Sequence, residues 1–160
     1  MITAVDTNIL FDVLIPDAPA QETSHQLLDM ALRQGGLVIS EVVYAELAAH
    51  FPTSEELGHF LTETGILLMP SQPPVLARAG QAWTAYNKRR GAGVRCPACG
   101  RPQRLSCRYC GAAFQGRQHL IGDFLVGAHA EIQTDRLLTR DRGYYRTYFP
   151  RLSLVERPGR

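Results

Sequence analysis

Short apolar runs of strand length recur along this chain, each followed by a helical pattern, and that alternation restricts the fold more than any other feature. Strand-like segments at about 2–5, 37–39, 66–69, 137–139 and 152–155 are separated by helical periodicities at about 8–14, 20–34, 41–50, 54–63, 73–90 and 120–133. Strands that alternate with helices pair in parallel, because each connection has to cross back over the sheet. The expected fold class is α/β, in three α/β/α layers, with a central parallel sheet and helices on both faces. Ser40 is placed to N-cap the helix that carries Glu46, and Gly35-Gly36 ends the helix before it. At 160 residues, 45% of them hydrophobic, the chain is expected to form a single domain over 1–160 with one substantial core.

Residues 91–118 interrupt the pattern, being rich in Gly, Pro, Arg and Cys and poor in periodic apolar positions. They read as a small module inserted at a loop. All four cysteines lie there, as Cys96-Pro97-Ala98-Cys99 and Cys107-Arg108-Tyr109-Cys110. Two such pairs form knuckles that present four thiolates tetrahedrally, so a structural zinc ribbon with Zn2+ on Cys96, Cys99, Cys107 and Cys110 is expected. So short a segment has little core of its own, which couples its folding to the metal. A redox role for Cys-Pro-Ala-Cys is disfavoured by the second pair and by the lack of a strand-to-helix context. RNA contact, contact with a partner, and pure scaffolding all stay open for the ribbon.

The formal charge is only +2, yet no Asp or Glu occurs between Glu63 and Asp123, where Arg78, Lys88, Arg89, Arg90, Arg95, Arg101, Arg104, Arg108 and Arg117 all fall. A basic block of this kind suits a polyanion. No apolar segment has the length of a membrane span or a signal peptide, so no membrane partner is expected and the expected location is the cytoplasm.

Against that basic background stand four acids. Asp6 ends the run Ile2-Thr3-Ala4-Val5 and Asp141 follows Leu137-Leu138-Thr139-Arg140, which puts both at the carboxyl edge of the sheet, where open α/β sheets carry their chemistry. Glu46 shares helical spacings with Val42, Val43 and Ala49, and is expected to face the interior. Asp123 lies among Ile121, Phe124, Leu125 and Val126, with Gly127 and Ala130 allowing close packing. If the four converge, repulsion and desolvation call for a cation, and an all-oxygen set suits Mg2+ or Mn2+. Such an ion activates water for phosphodiester cleavage. Taken one at a time, each acid reads more readily as an N-cap, a salt-bridge partner or a helix-surface charge; it is the joint pattern that points to a shared site.

The segments Val5-Asp6-Thr7-Asn8-Ile9-Leu10, Val43-Tyr44-Ala45-Glu46-Leu47, Gly122-Asp123-Phe124-Leu125-Val126-Gly127-Ala128-His129-Ala130 and Leu137-Leu138-Thr139-Arg140-Asp141 occur in this order. In order and spacing they resemble the motifs of PIN-domain endoribonucleases, in particular the VapC-like toxins of prokaryotic toxin–antitoxin pairs. The resemblance covers everything except the cysteine insertion. It implies a PIN-like fold with a parallel sheet of order 3-2-1-4-5, and a catalytic Mg2+ or Mn2+ site at Asp6, Glu46, Asp123 and Asp141. It further implies RNA as substrate, a homodimer and a neutralising antitoxin. Thr7, Asn8 and Thr139 then support the site, although helix capping is as open for Thr7 and Asn8. The same residues are compatible with a PIN nuclease that processes ribosomal RNA, and a non-catalytic zinc-ribbon nucleic-acid-binding module is the alternative outside enzymes. A phosphatase of the haloacid-dehalogenase type wants a second Asp where Asn8 stands.

Arg140, Arg142, Arg104 and Arg108 are candidate RNA contacts. Tyr144, Tyr145 and Tyr148 read as packing of a terminal turn, Trp83 and Tyr86 as one packed helix face, and His129 as a helix-surface histidine. No pair of histidines has ligand spacing.

Overall fold

The computed structural model describes residues 1–89, 94–95, 99, 101–113 and 120–155. Cys96, Arg90, Arg117 and the side chain of Arg95 lie outside that description. Strand β1 (Ile2–Val5) sits inside a four-stranded sheet of order β3-β2-β1-β6, flanked by β2 (Gly36–Ile39) and β6 (Arg136–Leu138), with β3 (Ile66–Leu68) beyond β2. Every pairing is parallel: Ala4 lies opposite Val38 on one side and Leu137 on the other, and Val38 lies opposite Leu67. A central parallel strand is covered on both faces, which is why β1 reads as a continuous apolar run; Thr3, fully buried within it, accepts a hydrogen bond from Arg136 Nε at 2.9 Å.

The expected order 3-2-1-4 is present, and the fifth strand is reduced to a parallel bridge between Leu137 and Leu154. Leu137 N donates to Ser153 O and Val155 N to Leu137 O, both at 2.9 Å, so the 152–155 run does extend the sheet, by one residue pair.

Helices α1 (Thr7–Leu14) and α2 (Gln21–Gln34) connect β1 to β2, and α3 (Glu41–Ala48) and α4 (Ser54–Thr64) connect β2 to β3. Helices α5 (Pro73–Arg89) and α6 (Ile121–Gln133) lead back to β6, and α7 (Arg142–Tyr148) follows it. The connections up to β3 step one way across the sheet and the return to β6 steps the other. Right-handed crossovers then place α5 and α6 on the face opposite the earlier connections. Ser40 caps α3, its hydroxyl accepting from Val43 N at 3.5 Å. The 142–148 segment is a helix where the sequence pattern indicates only a turn, because Asp141 caps it and accepts from Tyr144 N at 3.3 Å.

The core joins Val5, Ile9, Leu10, Ile39, Leu47, Phe124, Leu137 and Phe149. In α5 the buried positions Val75, Ala79, Ala82 and Tyr86 form one stripe, and Trp83 and Tyr86 stack on each other and pack on Phe124, as expected of one helix face. Gly127 lies under the Phe149 ring so closely that a Cβ there would come within 2.3 Å of it. His129 is not a surface residue: it is 1% exposed, and its Nε2 bonds the Met69 carbonyl at 2.8 Å. The Met69 carbonyl satisfies Nε2, a partner that helical spacing does not reveal.

The described residues of the insertion form two short antiparallel pairings. Strands β4 (Val94–Arg95) and β5 (Pro102–Gln103) pair with each other, and Ser106 bridges Ala113. In sequence, the first pairing encloses Cys96 and Cys99, and the second encloses Cys107 and Cys110.

Candidate active site

Three of the four acids reach the carboxyl edge from strand ends or helix starts. Asp6 follows β1, Asp141 follows β6 after Thr139 and Arg140, and Asp123 lies in the first turn of α6. Glu46 comes from the middle of α3. All four line one open cleft of about 460 Å³, together with Thr7, Asn8, Phe11, Ala49, His50, Tyr144 and Tyr145.

Their exposures differ, and so do their chemical states. Asp6 is 9% exposed. Burial raises its carboxyl above the ordinary range, Glu46 adds repulsion in the same direction, and hydrogen bonds from Thr139 and Tyr145 work against both. Asp123 is half-buried, and Glu46 and Asp141 are exposed. Glu46 thus departs from its expected interior position: Val43 and Leu47 take the buried stripe of α3, and Glu46, one residue before Leu47, falls to its side over the cleft.

One oxygen of Asp6 carries a converging set of donors. Oδ2 accepts from Thr139 Oγ1 at 2.6 Å, Asn8 Nδ2 at 2.7 Å and Tyr145 Oη at 3.3 Å. Thr139 Oγ1 also accepts from Asn8 Nδ2 and Asp141 N, each at 3.1 Å, so its own proton is committed to Asp6. Asn8 Oδ1 accepts from Arg140 N at 3.1 Å, and the Thr7 hydroxyl donates to Glu46 Oε2. Thr7, Asn8 and Thr139 are therefore tied to the acids by hydrogen bonds. Asp123 Oδ2 accepts from Leu120 N at 2.8 Å, so Asp123 and Asp141 each cap a helix while lining the cleft.

Tyr145 escapes the sequence reading. It is 2% exposed, and burial first, then the neighbouring Asp6, hold its hydroxyl well above its usual range and so protonated as a donor. The signal is its place four residues after Asp141, on a helix whose existence is not legible from periodicity.

Among the described residues no three acid, histidine or cysteine side chains close into a preformed coordination shell, and Asp6, Glu46 and Asp141 make no ion pair. The donor set nevertheless fits a hard divalent cation. Its acids offer carboxylate oxygens, one of them on an acid whose charge is penalised by burial and by a second acid, and among the described residues the one imidazole in the cleft, His50, packs edge-on against Phe11 at 4.4 Å.

Of the insertion's cysteines, Cys99 and Cys110 are exposed, Cys107 is half-buried, and all three are free thiols. The backbone N–H of Cys110, then that of Tyr109 and the Cys110 side chain, draw the Cys107 thiol below its usual range. Gly111 N donates to Cys107 O at 2.8 Å from a left-handed φ of 72°, which a residue with Cβ adopts at a cost. Arg104 and Arg108 are exposed on this module, whereas Arg140 and Arg142 line a separate cavity beside the acids.

A parallel sheet whose carboxyl edge carries a cleft lined by four acids defines an α/β protein with its candidate site where such sheets bind their ligands. The chain belongs to the PIN domain family, whose profile matches residues 3–150, and it is accordingly a member of a family of nucleases acting on nucleic acids. Solved structures share the fold over nearly the whole length. VapBC2 from Rickettsia felis bound to a DNA fragment from its promoter is 18% identical, with a TM-score of 0.62 over 97% of this chain and 98% of that one. VapBC-1 from nontypeable Haemophilus influenzae is 17% identical, with a TM-score of 0.61 over 98% of each chain. FitAB bound to the IR36 DNA fragment is 18% identical, with a TM-score of 0.58 over 97% of this chain and 94% of that one. No curated protein matches the sequence. Among the described residues no helix is long and apolar enough to cross a membrane.

Proposed function

We propose that the protein is a Mg2+- or Mn2+-dependent endoribonuclease and the toxin of a toxin–antitoxin pair. The observation that carries this reading is the state of Asp6: a buried carboxyl, repelled by Glu46, fixed by three donors on one oxygen, and open to a cleft shared with Asp123 and Asp141. That arrangement is costly unless a cation compensates it.

Asp6, Glu46, Asp123 and Asp141 are the residues that would hold the metal. Bound there, the ion supplies an activated water and neutralises charge on the phosphodiester oxygens. Thr139, Asn8 and Tyr145 fix the carboxylate plane of Asp6, Thr7 orients Glu46, and the caps on α6 and α7 hold Asp123 and Asp141 at the rim. Preorganisation of this sort lowers the cost of reorganising the site during reaction. The toxin role is supported by the likeness to VapBC and FitAB toxin–antitoxin complexes, which also motivates an antitoxin partner and a homodimer.

We assign a structural zinc ion to Cys96, Cys99, Cys107 and Cys110, supported by the paired spacing and by the N–H groups aimed at Cys107.

The deciding experiment compares the parent with Asp6→Asn and Asp123→Asn on single-stranded RNA across a Mg2+ and Mn2+ series. Cleavage that needs either ion, and that both variants lose while keeping a native circular dichroism spectrum, is the expected result. An Asp6→Asn protein that cuts as fast as the parent ends the reading.

A further inference from the structure

A second cavity, of about 240 Å³, lies beside the acid cleft and shares no lining residue with it. Its walls are Ala20, which precedes α2, with Thr23, Ser24 and Leu27 of α2 on one side and Thr139, Arg140, Arg142 and Val155 on the other. Among the described residues its charged lining is two arginines. Arg140 Nε pairs with Asp12 Oδ2 at 3.1 Å, and Asp12, 5% exposed, also accepts from Ser24 Oγ at 2.7 Å. That pairing uses one N–H of Arg140. Arg142 donates through Nη2 to the neutral Val155 carbonyl and, among the described residues, makes no ion pair. Among the described residues, two arginines stand against one carboxylate, a net positive charge, and a guanidinium carries five N–H donors, so both keep donors to spare.

The chain joins this cavity to the acids. Asp141, which lines the cleft, stands between Arg140 and Arg142, which line the cavity, so consecutive residues of the chain serve the two. Resting on the nuclease reading above, we propose that this cavity is a phosphate subsite for the RNA strand, gripping a backbone phosphate next to the one cleaved. Its guanidinium and hydroxyl donors match phosphate oxygens, and phosphate contacts of this kind fix the register of the strand.

The test uses the full chain in the cleavage-dead Asp6→Asn background and measures binding of a labelled single-stranded RNA over a salt series. Arg142→Ala removes one cation. Thr23→Glu, at an exposed position, puts an acid at the cavity mouth without removing a core contact. Each is expected to weaken binding by about tenfold and to lower the slope of log K against log salt by about one. Inorganic phosphate should compete with RNA on the parent and lose that competition in Arg142→Ala. In the active background the defect should fall on KM. Parental affinity and salt slope in both variants overturn the subsite. Phosphate binding that depends on Arg142 while RNA binding does not makes the cavity a free-anion site, and overturns its assignment to the strand. Because binding is read without cleavage, a parent that cuts no RNA refutes the nuclease reading alone, and loss of binding in both variants still upholds the subsite.

Discussion

Tyr145 donates its phenolic hydrogen to Asp6 Oδ2 across 3.3 Å, linking a helix that follows the last strand to an acid that follows the first. Tyr145 is one of three side chains, with Thr139 and Asn8, whose hydrogen bonds to Oδ2 favour the ionised Asp6 against its burial. Tyr145→Phe should therefore push that carboxyl further up. Carboxyl NMR titration of the metal-free protein should show Asp6 titrating at higher pH than in the parent, with the fold retained at a cost of about 1 kcal/mol or less. An Asp6 titration that stays put or moves down refutes the role given to Tyr145.

The same shift makes a prediction about stability. A carboxyl whose folded pKa lies above its unfolded value leaves the native state binding more protons, so stability falls as pH rises from the ordinary value of 3.8 through the folded pKa. Above that window the ionised Asp6 is a liability in metal-free protein. Asp6→Asn should consequently raise Tm at neutral pH, and the gain should vanish at about pH 3. Adding Mg2+ or Mn2+ should stabilise the parent, by about 2.7 kcal/mol at one hundred times Kd, and leave Asp6→Asn unmoved. Equal metal stabilisation of both proteins would place the ion elsewhere.

Much of this site is legible in the sequence because a parallel strand ends where its apolar run ends. Asp6 follows such a run directly, Asp141 stands three residues past the end of one, and Ser40 announces α3 by its capping chemistry. What stays hidden depends on contacts between distant segments. Glu46 reads as interior because Val42 and Val43 bracket its face, yet the burial stripe of α3 runs through Val43 and Leu47. His129 reads as polar surface and is a buried tie to Met69 O. Helix α7 is too short for its period to register, so the reach of Tyr145 to Asp6 is invisible until the fold is assembled. Arg140 and Arg142 are visible as cations, but only the packing of α2 shows that they line a cavity.

Gly127 has no room for a side chain. A Cβ there would meet Phe149 ring atoms at 2.3, 2.6 and 2.8 Å, and Phe149 is fully buried. Gly127→Ala should cost about 1–3 kcal/mol in urea denaturation despite the better helix propensity of Ala. Combining it with Phe149→Leu should recover part of that loss relative to the sum of the single variants, since both act on one contact. Strict additivity would mean that the clash is relieved elsewhere.

The cysteine module and the acid cleft should fail separately. Cys107→Ser removes the thiol toward which the backbone N–H groups of Cys110 and Tyr109 point. Zinc measured by mass spectrometry in purified protein is expected at about one ion per chain in the parent, from four thiolates to one tetrahedral ion, and near zero in this variant. Limited proteolysis should then cut within 91–118, while metal-dependent stabilisation through Asp6 persists. Parent protein purified without zinc removes the ribbon.

Arg78 holds the end of α6 against α7 through three contacts at once. Its Nε donates to Glu131 Oε2 at 2.6 Å, its Nη2 donates to Tyr148 O at 2.7 Å, and its guanidinium carbon stands 4.7 Å from the centre of the Phe149 ring. The Glu131 side chain is 3% exposed, and the second cation near it, Arg151, is 3.8 Å away and itself largely exposed. Removing Arg78 therefore strands a buried carboxylate. Arg78→Met should cost about 3–5 kcal/mol, and Arg78→Lys should not restore it, because an ammonium cannot reproduce the forked geometry that spans Glu131 and Tyr148. Arg78→Met combined with Glu131→Leu should regain most of the loss, since the stranded charge goes with its partner. Urea denaturation of the three proteins decides it: a double variant as unstable as Arg78→Met would mean that the cost lies in packing on Phe149 and not in the buried charge.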